Sequence, residues 1–110
     1  FPSTRNESFG IVLTEAMAAG KPLVATTIPG YASVVTNEHD GLLVPPEDPA
    51  GLALAIGRLF ADAELRRKLG ENGRETAKRY AWPNIAAQVV EVYERSAAMA
   101  ASATWRQSWR

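Results

Sequence analysis

Short apolar segments alternate with helical segments along this chain, and the alternation leaves few folds open. Residues 22–26 form a short, partly β-branched run typical of a strand buried on both faces, and residues 42–44 form another. Helical patterns cover residues 11–19, 49–60 and 85–93. Strands joined to helices by short loops favour an α/β fold with a parallel sheet and right-handed crossovers.

The remaining segments are assigned from local signals. Residues 1–3 are predicted to end a third strand, and Asp48 with Pro49 is a typical helix start. Residues 62–80 predict one helix or two, because Gly70 and Gly73 weaken the middle. One helix face is expected to be core, and it carries Leu52, Ala55, Ile56, Leu59 and Phe60.

Residues 7–20 combine a turn, a helix start and two carboxylates. Gly10 lets the backbone approach a ligand closely, since it has no Cβ and tolerates unusual dihedral angles. A helix is predicted from about residue 11 to residue 19, with Gly20 at its C-terminal cap and Pro22 soon after. The stretch therefore presents a free helix N-terminus above the turn.

This helix start has a chemical consequence. The first amides of a helix lack intrahelical partners and lie at the positive end of the macrodipole, so they suit a phosphate group. Ionised carboxylates such as those of Glu7 and Glu15 accept hydrogen bonds from sugar hydroxyls. A phosphorylated sugar is therefore the ligand class that the stretch predicts.

Composition excludes several other classes. The chain has 110 residues, with 12 basic and 12 acidic residues in balance, which argues against a nucleic-acid-binding protein. It has no cysteine and a single histidine, His39, which is expected to be exposed in a turn, so no metal site is expected. No long apolar run or secretory signal appears, and a cytoplasmic location is favoured.

Glu7 and Glu15 are separated by seven residues, with Phe9 and Gly10 after the first. They resemble the Glu-x7-Glu signature of retaining GT-B glycosyltransferases, the group 1 family that includes sucrose synthases and phosphatidylinositol mannosyltransferases. The resemblance continues through residues 22–26, 41–46 and 74–82. It covers residues 1 to about 97.

The resemblance implies a fold and a domain plan. Residues 1–97 are expected to be the C-terminal half of a Rossmann-like domain that binds the nucleotide-sugar donor, and residues 98–110 a disordered or loosely packed tail. An N-terminal acceptor domain and further strands are expected upstream of Phe1. The last helix, which begins with Trp82 as a packed aromatic, is expected to cross back toward that domain.

The resemblance also implies an activity. A hexosyl group would move from a nucleotide-diphosphate sugar to a lipid or saccharide acceptor, with retention of configuration and without a metal or other cofactor. The likeness of residues 7–13 to phosphatidylinositol mannosyltransferases implies that this group is mannosyl. Glu7 would be the catalytic residue and bind sugar hydroxyls, and Glu15 would hold the ribose. The donor-binding residues implied are Glu7, Ser8, Phe9, Gly10, Ile11, Val12 and Glu15. The full-length enzyme is expected at the inner face of the membrane, in peripheral contact with it.

The segment after the first strand differs from the pattern of the family. Many relatives have Gly-Gly-x-Pro-Glu there, whereas residues 29–33 of this chain are Pro-Gly-Tyr-Ala-Ser, so Ser33 replaces the acidic residue. The basic residues that usually clamp the diphosphate are expected upstream. The isolated segment is therefore expected to be inactive.

Two alternatives stay open. GT-B folds also serve nucleotide-sugar 2-epimerases, which need no acceptor, and phosphorylases, which need inorganic phosphate. A non-catalytic interaction module of the same fold would bind a partner protein and ignore nucleotides. An exposed sheet edge argues against that module, because such edges invite aggregation.

Overall fold

The computed structural model describes residues 1–7 and 10–102. The chain divides into two compact units, Phe1–Arg79 and Tyr80–Arg110. In chain order the elements are α1 (Ile11–Ala18), β1 (Val24–Thr26), α2 (Pro29–Ala32), β2 (Leu42–Val44), α3 (Pro49–Ala61), α4 (Ala63–Ala77), a 3₁₀ turn (Lys78–Tyr80) and α5 (Trp82–Ser102). The predicted α/β class is confirmed.

The sheet of the first unit is parallel. Val24 of β1 lies opposite Leu42 of β2, and Thr26 lies opposite Val44. On the other edge of β1, the Phe1 amino group donates to the Val24 carbonyl at 3.1 Å, and the Thr26 N–H donates to the Phe1 carbonyl at 3.1 Å. These two bonds pair Phe1 with β1 in the pattern typical of neighbouring parallel strands. The predicted third strand is thus represented by the pairing of Phe1 alone.

Helices α1 and α4 pack closely against each other. Leu13 and Met17 of α1 and Leu69 of α4 are fully buried. Gly70 explains the close approach, because a Cβ added there would lie 2.3 Å from the Gly20 carbonyl oxygen. Residues 63–77 form one uninterrupted helix, and Gly70 serves packing rather than interrupting it.

Helix α3 begins as predicted, since the Asp48 carboxylate accepts the Gly51 N–H at 2.9 Å. Its apolar face is only partly core, however. Ala55 is buried, whereas Ile56 is 40% exposed and Phe60 82% exposed. The prediction of a fully buried face was wrong because the buried cluster that includes Ala55 does not extend to Ile56 and Phe60. The uncovered part lines an open apolar groove of about 470 Å³.

The second unit consists, over residues 80–102, of the end of the 3₁₀ turn and helix α5. Trp82 is 83% exposed, so the prediction that it packs was wrong. A unit made largely of one helix offers little surface that can bury an indole. Residues 98–102 are helical, and the rest of the predicted tail lies outside the described residues, so the division at residue 97 stays a prediction.

No helix within residues 1–7 and 10–102 combines the length and the apolarity needed to span a membrane.

Candidate functional site

Gly10 forms the turn that precedes α1. It adopts φ 70° and ψ 58°, in the left-handed region that favours glycine. The Glu7 carboxylate accepts the Gly10 N–H at 3.2 Å, and the Gly10 carbonyl accepts the Leu13 N–H at 2.8 Å. The turn and the first turn of the helix are therefore one hydrogen-bonded unit that carries the Glu7 side chain.

The described part of the chain leaves two backbone N–H groups at the N-terminus of α1 without an acceptor. Gly10 caps the helix without a side-chain hydrogen bond, and among the described residues no acceptor faces the N–H groups of Ile11 and Val12. The side chains of these two residues are 66% and 59% exposed. Two amides at the positive end of a helix dipole can hold an anionic group that approaches from solvent.

Glu15 lies one turn farther along the same helix. It is exposed and shares with Ile11 the face opposite the buried Leu13 and Met17. Glu7, in contrast, is half-buried. The Glu7 carboxylate thus lies at the helix start and already accepts one hydrogen bond. The Glu15 carboxylate is exposed to solvent on the second turn of the helix.

The far end of α1 holds the helix in place. Gly20, with φ 67°, donates to the Met17 carbonyl at 2.8 Å, and the Lys21 N–H donates to the Ala16 carbonyl at 3.0 Å. This pair of bonds is a Schellman motif, the C-terminal glycine cap that the sequence predicts. Together with the burial of Leu13 and Met17, it leaves the N-terminus of α1 as the end open to a ligand.

The sequence-predicted site residues fall into two groups. The structure brings together Glu7, Gly10, Ile11 and Val12 around the helix start, with Glu15 on the next turn. Ser8 and Phe9 lie outside the described residues. The assignment of these residues to a donor site stays a prediction.

Sequence reasoning missed Tyr31, which touches this turn from α2. Tyr31 is 4% exposed, and a Cβ added to Gly10 would lie 2.9 Å from two carbons of its ring. Its hydroxyl donates to the Ser3 side chain at 3.0 Å. Nothing in the spacing of the sequence signals this contact, since the two residues are far apart along the chain.

The departure at residue 33 has a local structural role. The Ser33 hydroxyl donates to the Gly30 carbonyl at 2.9 Å and so closes the short helix α2. Ser33 is exposed. Ser33 therefore supplies a hydroxyl to the backbone of the same short helix.

Two arginines of the basic run at residues 66–68 make contacts within the fold. Arg66 is half-buried and donates to the carbonyls of Leu59 and Phe60 at the end of α3. Arg67 is exposed and pairs with Glu64 and Glu71. Its guanidinium lowers the pKa of the Glu64 carboxyl.

His39 is exposed, as predicted. Among residues 1–7 and 10–102, no three His, Asp or Glu side chains cluster in a way that could hold a metal ion.

Comparison with known proteins connects this geometry to a family. The model of the family "Glycosyl transferases group 1" matches residues 1–76. The chain is 46% identical over 88 residues to D-inositol 3-phosphate glycosyltransferase of Corynebacterium urealyticum, covering 80% of this chain and 21% of that protein. It is 43% identical over 93 residues to phosphatidyl-myo-inositol mannosyltransferase of Mycobacterium leprae, covering 84% of this chain and 25% of that protein. It therefore spans a quarter or less of the length of these relatives.

Solved structures agree with this result. Sucrose-phosphate synthase from Thermosynechococcus elongatus superposes with a TM-score of 0.76 at 43% identity, over 83% of this chain and 23% of that one. Anabaena HepE in complex with UDP superposes with a TM-score of 0.81 at 30% identity, over 86% of this chain and 26% of that one. These neighbours are GT-B glycosyltransferases, so the fold predicted by resemblance is confirmed. The chain belongs to the group 1 family of glycosyltransferases.

Proposed function

We propose that this chain is the donor-binding part of a longer enzyme that transfers a hexosyl group from a nucleotide-diphosphate sugar to an acceptor, with retention of anomeric configuration. The observation that carries the proposal is the start of α1, where two amides without acceptors among the described residues lie beside the Glu7 carboxylate. The neighbour HepE has been solved in complex with UDP and with UDP-glucose, which supports a ligand of this class.

Each residue has a role in this proposal. The amides of Ile11 and Val12 hold a diphosphate oxygen, and Glu15 accepts hydrogen bonds from the ribose hydroxyls. The Glu7 carboxylate accepts the Gly10 N–H at one position, and its other acceptor positions bind hydroxyls of the donor sugar. These hydroxyls lie close to the glycosidic bond that breaks. Ser8 and Phe9 are assigned to the donor site from the sequence alone.

The leaving group explains why the rest of the enzyme is needed. When the glycosidic bond breaks, negative charge develops on the nucleoside diphosphate and must be stabilised. A helix N-terminus contributes at most about 2 kcal/mol toward that charge. Basic residues in the remainder of the protein supply the rest, and the isolated chain is expected to be inactive. No metal or other cofactor enters the proposal.

The names of the relatives support a choice of donor and acceptor for this proposal. One of them is named a phosphatidyl-myo-inositol mannosyltransferase, so a mannosyl donor and a lipid or saccharide acceptor are proposed here. Transfer to a lipid headgroup would place the full-length enzyme in the cytoplasm at the inner face of the membrane. An assay with UDP- and GDP-linked hexoses, with and without acceptor, distinguishes transfer from epimerisation. Proton NMR of the anomeric centre in the product reports retention.

Substitution of the two carboxylates in the complete enzyme tests the site. A charge-assisted hydrogen bond contributes about 1.5 to 3 kcal/mol, so Glu15→Ala is expected to raise the donor KM by about 10- to 150-fold. Glu7→Gln is expected to lower kcat by a similar factor. Glu94→Gln is the control, because Glu94 is an exposed glutamate of the second unit. If both site variants keep the kinetics of the control, the site assignment fails.

A further inference from the structure

Tyr31 is the one large aromatic side chain of the first unit that is almost fully buried, among the residues that the structure describes. It lies on α2, directly after the C-terminal end of β1. Its ring packs edge-on against Phe1, with centroids 6.2 Å apart and planes at 69°. A buried phenol needs a partner for its hydroxyl, and Tyr31 has one in the Ser3 side chain at 3.0 Å.

The two contacts of Tyr31 that matter here are with the two ends of one loop. Its hydroxyl donates to Ser3, where the loop leaves the sheet. Its ring lies against Gly10, where the loop enters α1. The carbonyl of Ser3 is also held, because it accepts the hydroxyl of the buried Thr26 at the end of β1.

Between these ends, the described residues of the loop, 4–7, have few anchors of their own. Thr4, Arg5 and Asn6 are exposed, and Asn6 has φ 66°, a left-handed conformation that is uncommon for a residue other than glycine. Glu7 is held by the Gly10 N–H alone among the described hydrogen bonds. The position of the Glu7 carboxylate therefore depends on where the two loop ends are fixed.

We propose that Tyr31 is a positioning residue for the donor site: by its hydroxyl on Ser3 and its ring on Gly10 it fixes both ends of the loop that carries Glu7. The inference rests on the proposed function, since it assigns Tyr31 a part in binding the donor. Tyr31 acts through Ser3 and Gly10 and does not touch the donor itself. A loop fixed before binding loses less entropy when the donor arrives, which strengthens donor binding.

A purely structural role for Tyr31 makes a different prediction. If the hydroxyl only stabilises the fold, its removal lowers the melting temperature and leaves the KM for each substrate unchanged, because KM reports on the folded fraction alone. If the hydroxyl positions the loop, its removal raises the donor KM because a mobile loop must be ordered when the donor binds, lowers kcat because Glu7 is displaced, and leaves the acceptor KM unchanged. The split between the two KM values separates these roles.

The experiment uses the complete enzyme, with Tyr31→Phe, Ser3→Ala and the double variant. Tyr31→Phe keeps the ring on Gly10 and deletes only the hydroxyl, so the variant is expected to fold. One hydrogen bond is worth about a fivefold change in equilibrium, so each single variant is expected to raise the donor KM by about fivefold. The double variant is expected to match the single variants, because the two hydroxyls act as one unit.

Thr76→Val is the matched control. Like Tyr31→Phe it deletes a buried hydroxyl from a side chain of nearly the same shape, and it removes a 2.7 Å bond to the buried Asp40. Asp40 lies in the loop before β2, at the opposite edge of the parallel sheet from α2. The control is therefore expected to lower the melting temperature with both KM values unchanged.

The outcomes separate the inference from the proposed function. A wild-type enzyme without transfer from any nucleotide sugar overturns the proposed function, and the inference with it. An active wild type whose Tyr31→Phe and Ser3→Ala variants keep the donor KM within about twofold overturns the inference alone. A double variant with multiplied effects, or a control with the same rise in donor KM, also overturns it.

Discussion

Replacement of Gly10 by alanine tests whether the turn before α1 is as constrained as its geometry indicates. Two costs are expected. The residue has φ 70°, and a residue with a side chain pays about 1 to 2 kcal/mol in the left-handed region. The added Cβ would also lie 2.9 Å from the ring of the buried Tyr31 and 3.1 Å from Leu13 Cδ1. Such overpacking costs about 1 to 3 kcal/mol.

Gly10→Ala is therefore expected to lower the free energy of unfolding by about 2 to 5 kcal/mol, measured by equilibrium urea denaturation. Gly57→Ala is the matched control. Gly57 lies inside α3, and a Cβ added there meets nothing within 4 Å. This control is expected to stabilise by about 0.5 to 1 kcal/mol, because glycine inside a helix costs conformational entropy. A Gly10→Ala protein as stable as wild type would refute the reasoning.

The two costs can be separated in a Tyr31→Ala background. Removal of the ring abolishes its contact and leaves the dihedral penalty of about 1 to 2 kcal/mol and the 3.1 Å approach to Leu13 Cδ1, so Gly10→Ala is then expected to cost less than in the wild-type background. The difference between the two backgrounds measures the contact itself. If the cost of Gly10→Ala is the same with and without the ring, Tyr31 is not what excludes a side chain at position 10.

Two further predictions concern the core and the surface. Leu69→Ala, at a fully buried position, is expected to lower the free energy of unfolding by about 2 to 5 kcal/mol in the same denaturation assay. The same change at Leu54, which is 72% exposed, is expected to lower it by less than about 0.5 kcal/mol. Equal losses would contradict the packing described here. Arg58 hydrogen-bonds to Glu38 and lowers the pKa of that carboxyl. At a pH above 4.5, the ordinary pKa of a glutamate, the pair therefore stabilises the fold. The stabilisation is lost as the pH falls through the lowered pKa of Glu38. NMR titration of Glu38 is expected to show a higher pKa in Arg58→Met, and an unchanged value would contradict the assignment.

Local signals in the sequence predicted the ends of the helices well. Asp48 caps α3, and Gly20 ends α1 with a left-handed conformation. Both features depend on a few neighbouring residues, so a short stretch of sequence is enough to predict them. The parallel pairing of β1 and β2 was also predictable, because a helix between two strands enforces a crossover.

Tertiary packing was predicted less well. Phe60 follows the apolar period of α3 yet is 82% exposed, and Trp82 starts α5 yet is 83% exposed. Periodicity reports which face of a helix is apolar, and what covers that face is decided by other parts of the protein. Arg66 was missed for the same reason, since its bonds to the end of α3 arise only when two helices meet.

The candidate site shows why a glycine is weak evidence for a ligand. The sequence suggested that Gly10 lets a ligand approach the backbone, but the fold alone requires glycine there, both for φ 70° and for the ring of Tyr31. A turn without any ligand would keep the same residue. What favours a donor site is instead the pair of amides at Ile11 and Val12 beside the Glu7 carboxylate, because no described hydrogen bond uses these two amides and the carboxylate accepts only the Gly10 N–H.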